Sequence, residues 1–435
     1  MDGKYWDSSV ETLPRKDIEL IQWRRLKSQI EYVYANSKFY HKKMRNAGIT
    51  PSDIQTKKDF EKRFPITTKD EVRAEMLLSN DPLPHLCVPR ENICRIHRSS
   101  GTTGLPTFNA YTWEDTENWA EIFCRIWYMM GLRPKDRLMY VIWNGSLSVP
   151  IIAAASRKMG FEVAFDDIHV VSGFTDNAML SHCTVLFGGT NIPPLMEEEL
   201  RKRNKTPSDV TSFRFQALSG DVMSKARRKS LTKTWGSEIF SYGGAAEVNL
   251  VYGECEEHNG LHVLDEDFFI HETLSLDSDE SIQAGEKGRL VVTDLLNKAS
   301  PHIRFDLGDV VIANRDTCNC GRTHSRLKIL GRSTYSVKIG DLTIFPTEIE
   351  EVIRDNIDSL SSEFQIIKYA AKLDKLQINI GLGEQDRNEV LKAKISSDIS
   401  SKFGVKSDIS FVDLASIPRA PGGHKVMRIV DKTST

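Results

Sequence analysis

Apolar positions recur at helical spacing over residues 17–46, where Ile18, Ile21, Leu26, Ile30, Val33 and Tyr34 form a stripe among charges and Gly48 stops it. Pro51-Ser52-Asp53 reads as a turn into a second short helix, and Thr67 or Thr68 as a cap on the next. Arg95-Ile96-His97 and Phe-Asn-Ala-Tyr at 108–111 are short extended segments, a predicted hairpin. Thr112 opens a long helix with Trp119, Ile122, Phe123, Ile126, Trp127 and Met130 on one side, ended by Gly131. Residues 137–143 are a continuous apolar run suited to a buried parallel strand. A helix over 148–159 and a strand over 161–165 complete a β-α-β unit. Strands at 184–187, 213–218 and 238–242 alternate with helices at 193–203 and 223–234. That alternation predicts an α/β body.

After Gly260 the pattern shortens to extended segments at 262–264, 268–273, 288–293, 303–305 and 310–313, a small β subdomain of about 255–331. Beyond Gly331 it changes again. Strands at 337–339, 364–369, 376–381 and 409–412, with helices at 346–356 and 385–402, predict a small α+β domain. The expected organisation is an N-terminal domain of 1–331 and a C-terminal domain of 332–435.

Composition narrows the class. A net charge of -2 gives no basic field for nucleic acid. Met1-Asp2-Gly3-Lys4-Tyr5-Trp6-Asp7 carries charges where a signal peptide would be apolar. No apolar run approaches the roughly 20 residues that span a bilayer. Seven cysteines, an odd number thinly spread, argue for reduced thiols. The expectation is a cytoplasmic protein that needs neither membrane nor nucleic acid. The basic run Lys225-Ala226-Arg227-Arg228-Lys229 reads as a solvated helix face.

The chemistry centres on Arg98-Ser99-Ser100-Gly101-Thr102-Thr103-Gly104-Leu105-Pro106. Four hydroxyls and two glycines sit together here. Hydroxyls donate to phosphate oxygens, and glycines let backbone N–H groups approach an anion. No Lys-Ser/Thr follows the second glycine, so this is not the P-loop of NTPases. Further candidates are spread along the chain. Tyr242-Gly243-Gly244-Ala245-Ala246-Glu247 ends a strand on a carboxylate, and Asp309 follows a strand where it can accept two ribose hydroxyl protons. Gly331-Arg332 opens the last domain, and Lys425 lies in the glycine-flexed Pro418-Arg419-Ala420-Pro421-Gly422-Gly423-His424-Lys425.

In order and spacing these segments resemble the adenylate-forming acyl-CoA synthetase superfamily, and within it the phenylacetate–CoA ligase family. The likeness spans nearly the whole chain, including Phe64-Pro65-Ile66-Thr67-Thr68-Lys69-Asp70, Pro301-His302-Ile303-Arg304, Cys318-Asn319-Cys320-Gly321-Arg322-Thr323 and Phe345-Pro346-Thr347-Glu348-Ile349-Glu350. The resemblance implies a large α/β adenylation domain and a small mobile C-terminal domain. It implies ATP, Mg²⁺ and coenzyme A, and two half-reactions: a carboxylate attacks the α-phosphate of ATP, then a thiol displaces AMP. Ser99, Ser100, Gly101, Thr102, Thr103 and Gly104 would hold the departing pyrophosphate. Glu247 would hold Mg²⁺, Asp309 would clamp the ribose, and Arg332 would contact ribose or phosphate. Ser219, Gly220, Asp221 and Tyr242 would flank the adenine. Lys425 would bridge substrate carboxylate and α-phosphate, then withdraw as the domain turns on a hinge after Arg332.

Departures from the family pattern carry information. One residue too many separates Tyr242 from Glu247, so either a residue is inserted or Gly243 replaces the aromatic. Thr334 stands where the hinge residue is commonly Asp. The stretch 140–175 differs from true phenylacetate ligases, which shifts the expected substrate toward another small, flat acid. Trp143, Gly243, Gly244 and Ala245 are the expected acyl-pocket residues, with plain strand packing the competing reading. Cys255, His262, Cys318 and Cys320 offer three thiolates and one imidazole for a closed structural Zn²⁺ site, against four unconnected loop residues. Alternatives in function are a stand-alone adenylating enzyme that hands the acyl group to a carrier protein or another nucleophile, and a non-catalytic nucleotide-binding scaffold. A homodimer is an allowed assembly.

Overall fold

The computed structural model describes residues 3–98, 105–142, 148–210, 213–220, 223–340, 342–357, 363–418 and 426–433. The long helix expected over 17–46 is two, Arg15–Asn36 and Lys38–Asn46. Ser37 divides them, because its extended backbone lets its hydroxyl accept from the Tyr40 amide and cap the second helix. Thr112 begins the Trp113–Met129 helix as expected, in a capping box with Asp115. Its apolar side is sealed: Trp127 is fully buried among the rings of Phe123, Tyr140, Phe161 and Phe187.

Eleven described strands form one continuous sheet. On one side run the parallel strands Glu162–Asp167, Arg137–Ile142, Val185–Gly189, Phe215–Ser219 and Glu238–Ala245, in that spatial order. Parallel neighbours need crossovers, and helices Ser148–Met159, Val171–Leu180, Ile192–Lys202 and Lys225–Trp235 supply them. Glu238–Ala245 is the seam. The chain turns back through Ala246–Val248 instead of crossing over, so Leu250–Glu254 pairs antiparallel with it. From there Leu261–His262, Arg326–Arg332, Phe305–Asn314, Lys287–Asp294 and Phe269–Leu274 continue antiparallel. The segments expected to form a β subdomain are therefore hydrogen-bonded into the main sheet.

Some elements had little periodic signal. Leu250–Glu254 and Arg326–Arg332 mix glycines and charges, and register with their neighbours makes them strands. The segments 303–305 and 310–313 belong to one strand, Phe305–Asn314, with a register shift between Val310 and Val311.

Residues from 337 onward have a core of their own, with Val337, Ile349, Phe364, Ile378, Ile395 and Ile399 among its members. Its sheet runs Ser407–Val412, Leu376–Gly381, Glu363–Lys368, Ile429–Asp431, covered by helices Pro346–Asn356 and Glu389–Phe403. The last pairing is parallel and brings the chain's end back beside residue 366. Among the described residues no helix is long and apolar enough to cross a membrane.

Candidate active site

A cleft of about 2280 Å³ opens at the carboxyl ends of the parallel strands. This is where open α/β sheets leave a crevice, because the chain diverges to opposite faces there. Ser219, Gly220, Tyr242, Gly243, Gly244, Glu247, Asp309 and Arg332 all line it. So do Val426, Met427 and Arg428 from the C-terminal body, directly after Lys425 in the chain. Lys425 itself, Ser99 to Gly104, Trp143 and Asp221 lie outside the described residues.

The strands that flank the hydroxyl loop do form the expected hairpin, Arg95–Arg98 against Phe108–Tyr111 with Arg98 opposite Phe108. Its returning side is tied down by Arg73, whose Nε donates to the Leu105 carbonyl at 2.7 Å. Arg73 belongs to the Lys69–Ser79 helix, capped by Thr68. That helix also places Lys69.

Lys69 Nζ lies 2.7 Å from Glu247 Oε1, with both side chains partly open to the cleft. Burial pushes the Glu247 carboxyl up, but Lys69, a backbone amide and Arg332 together outweigh it and the net shift is down, so the group is held ionised. Sequence reading assigned no role to Lys69. A signal existed: a cation in the first turn of a helix opposes the helix dipole, so something must compensate it.

Asp309 and Arg332 face each other across paired strands, with Arg332 Nε 2.8 Å from Asp309 Oδ1. Burial pushes the Asp309 carboxyl up, partly offset by Arg332 and Lys69. Arg332 also donates to the Leu307 carbonyl, which fixes the guanidinium at the rim. The Ser333 amide donates to Gly308, so the chain leaves this strand still anchored beside Asp309.

The expected acyl-pocket residues separate. Ala245 is 4% exposed and packs into the main core. Gly244 faces Leu250 so closely that a Cβ would lie 2.2 Å from its carbonyl oxygen, and only glycine permits that strand approach. Gly243 is covered by Tyr252. Aromatic side chains lining the cleft include Trp119, Phe123, Tyr140, Tyr242 and Tyr252, and Tyr140 shares a 3.2 Å hydroxyl contact with Tyr242. The helical spacing of Trp119 and Phe123 predicts core, since burial in a core and burial against a ligand leave the same periodic pattern.

Comparison with known proteins bears on the same residues. Residues 342–433 match the family model of the AMP-binding enzyme C-terminal domain. Phenylacetate-coenzyme A ligase from Thermus thermophilus is 29% identical over 462 residues, covering 98% of this chain and 99% of that one. The Escherichia coli K12 protein of the same name is 29% identical over 444 residues, covering 97% and 96%. Over nearly its whole length the chain is thus similar to phenylacetate-coenzyme A ligases, and its C-terminal part to AMP-binding enzymes. In fold it also matches a crystal structure of 2-hydroxyisobutyryl-CoA ligase in the postadenylation state with 2-HIB-AMP. The TM-score is 0.86 at 22% identity, covering 99% of this chain and 93% of that one.

The chain holds a second cluster, away from the cleft lining. Cys255, His262, Cys318 and Cys320 are all buried, and their ligand atoms lie within 4.8 Å of one another. Cys255 Sγ is 3.8 Å from Cys318 Sγ, and Cys320 Sγ is 3.6 Å from His262 Nε2. Those separations are far beyond a disulfide. They match the edges of a tetrahedron with bonds of ~2.3 Å to sulfur and ~2.0–2.1 Å to nitrogen, about 3.8 and 3.6 Å. The cluster sits under the N-terminal segment: the Tyr5 hydroxyl donates to the Cys320 carbonyl, and Arg322 pairs with Glu11.

Proposed function

We propose that this protein uses ATP to convert a small aromatic carboxylic acid to its acyl-adenylate, and then to a thioester of coenzyme A. The observation that carries the reading is the pair of carboxylates Glu247 and Asp309, each beside a cation in one cleft and flanked by the hairpin of the hydroxyl loop. The family likeness supports activation of an acid and thioester formation, and the aromatic walls of Trp119, Phe123 and Tyr140 support a flat acyl group.

In the first step a carboxylate oxygen bonds to the α-phosphorus, the bond from that phosphorus to the bridging oxygen breaks, and pyrophosphate leaves. Negative charge crowds at the α-phosphate, where Lys425 would act. Ser99 to Gly104 would receive the leaving group. Asp309 would accept from the ribose hydroxyls, with Arg332 beside it, and Ser219, Gly220 and Asp221 would border the base. Glu247 fits Mg²⁺, since an ionised carboxylate with phosphate and water oxygens is the donor set that ion takes. When bound, the ion draws off phosphate charge. Until then Lys69 helps keep Glu247 ionised. In the second step the thiol sulfur bonds to the acyl carbon, AMP leaves, and the thiol proton passes to solvent. We place the domain boundary at 331/332 and the hinge just beyond it, near Thr334. The Cys255, His262, Cys318 and Cys320 set fits a structural Zn²⁺ with no open ligand position.

Pyrophosphate exchange with a panel of acids tests the reading. Exchange that depends on an aryl acid supports it, and no exchange with any acid overturns it. Product mass with coenzyme A or a phosphopantetheinyl carrier protein then decides the acceptor. Elemental analysis should find one zinc per chain, and a metal-free, fully folded protein would sink the zinc assignment.

A further inference from the structure

The base of a nucleotide held at Asp309 needs a flat surface beside the ribose. The sequence left two readings of the residues before Glu247: an insertion, or Gly243 in the place of an aromatic. In either case the register fixes which way each side chain faces. Tyr242 pairs with Gly253, Gly243 with Tyr252, Gly244 with Val251 and Ala245 with Leu250, an unbroken antiparallel ladder without a bulge. Side chains alternate along a strand, so Tyr242 and position 243 point to opposite faces.

Tyr242 borders the cleft with its ring set into the main core. It is 8% exposed, its ring centroid lies 5.2 Å from that of Phe187, and its hydroxyl meets Tyr140. On the other face the ring of Tyr252 lies across Gly243. A Cβ at 243 would stand 2.6 Å from Tyr252 Cε2 and 3.2 Å from its Cζ, so the ring fills the space a side chain there would take. Tyr252 is only partly buried, lines the cleft, and its hydroxyl has no hydrogen-bond partner among the described residues. It is close enough to the ribose clamp to feel it: burial and then Asp309 push its hydroxyl pKa up, and Arg332 pulls it down. The ring is thus neutral, apolar-faced and next to Asp309.

We propose that Tyr252, reaching across the hairpin over Gly243, is the platform on which the adenine of ATP and AMP stacks, in place of Tyr242. Stacking on an aromatic face holds a base while the carboxylate holds the sugar, and glycine at 243 is what makes room for the ring. The assignment rests on the nucleotide-activating reading above and adds the residue that meets the base.

Affinities for AMP and for ribose 5-phosphate, measured by calorimetry on the full chain, test it. Tyr252→Ala should weaken AMP by about 10-fold or more and leave ribose 5-phosphate within about twofold, because only the base has lost its partner. Tyr252→Phe keeps the ring and should bind AMP like the wild type. Tyr252→Leu fills the space over Gly243 without an aromatic face, and should lose AMP selectively even if the alanine variant does not fold. Unchanged AMP affinity in Tyr252→Leu, or equal losses for AMP and ribose 5-phosphate, overturns the assignment. So does a selective AMP loss in Tyr242→Leu that Tyr252→Leu lacks. A wild type that binds neither AMP nor ATP would remove the nucleotide reading and this assignment together. Binding of AMP with no effect at Tyr252 removes the assignment alone.

Discussion

Arg304 with Glu272 and Arg322 with Glu11 are ion pairs of one kind, and Lys69 with Glu247 and Arg332 with Asp309 are of another. In the first kind the side chains are at most 4% exposed. Arg304 meets both oxygens of Glu272 and donates as well to the carbonyls of Glu61 and Phe64. Glu11 takes Arg322 on one oxygen and the Asp7 amide on the other. Sealed from solvent and tied to further backbone groups, such pairs have little to offer a ligand. In the cleft, Lys69 and Glu247 are 21% and 14% exposed and meet through one contact, and Arg332 is 42% exposed. A carboxylate with a free oxygen and a solvent-facing cation can trade partners with a phosphate, a ribose or a metal ion. Saturation marks the scaffold, and incomplete saturation marks the site.

The comparison can be broken from the scaffold side first. Glu272→Ala leaves Arg304 buried without its counter-charge and should destabilise the protein by on the order of 3–5 kcal/mol. Thermal unfolding should show a large drop that ATP does not selectively restore. A change of less than a degree would mean the sealed pair is not structural. From the cleft side, Glu247→Gln should lower the rate of adenylation by ~100–1000-fold while the melting temperature stays near wild type. A variant that unfolds but keeps its rate per folded molecule would invert the roles assigned to the two kinds of pair.

Titration sharpens the same divide. His85 is buried against His302 and Asn109, and burial lowers its pKa to about 4. Between that value and the ordinary histidine value near 6.5 the unfolded chain binds a proton that the folded chain does not. Stability should therefore fall as pH drops through this window, by about 3 kcal/mol for this one group. His85→Phe should flatten the slope of melting temperature against pH, and an unaltered slope would show that His85 is protonated in the fold. The smallest expected effect is at the clamp. Asp309→Asn should raise the KM for ATP by ~10-fold, about 1.4 kcal/mol of lost ribose contact, with little change in kcat at saturation. A fall in kcat with unchanged KM would move Asp309 from binding to chemistry.

Much of this architecture is legible in the chain. Periodicity locates most helices and parallel strands to within a few residues, because a buried face forces a repeat of 3.6 or 2 on the sequence. Thr68 and Thr112 announce their helices, since an unpaired N-terminal amide needs an acceptor. Glu247, Asp309 and Arg332 could be named from order and spacing, and they share a cleft. Other features leave no local trace. Lys69 is 178 residues from Glu247 in sequence, and nothing in either segment states that they meet. Leu250–Glu254 is a strand because of its neighbour, and Trp119 borders the cleft although its helix pattern reads as core.

By itself, then, the sequence determined the α/β body, the separate C-terminal unit, the likeness to phenylacetate–CoA ligases and the identity of the ionisable groups that line the cleft. These follow from local patterns and from side-chain chemistry. Tertiary structure alone decided that the extended segments after Gly260 join the main sheet, that Cys255, His262, Cys318 and Cys320 converge, and that Tyr252 lies over Gly243. Those are matters of register and of contact between distant segments. A shift of one residue would turn each side chain to the opposite face, and no local pattern specifies it.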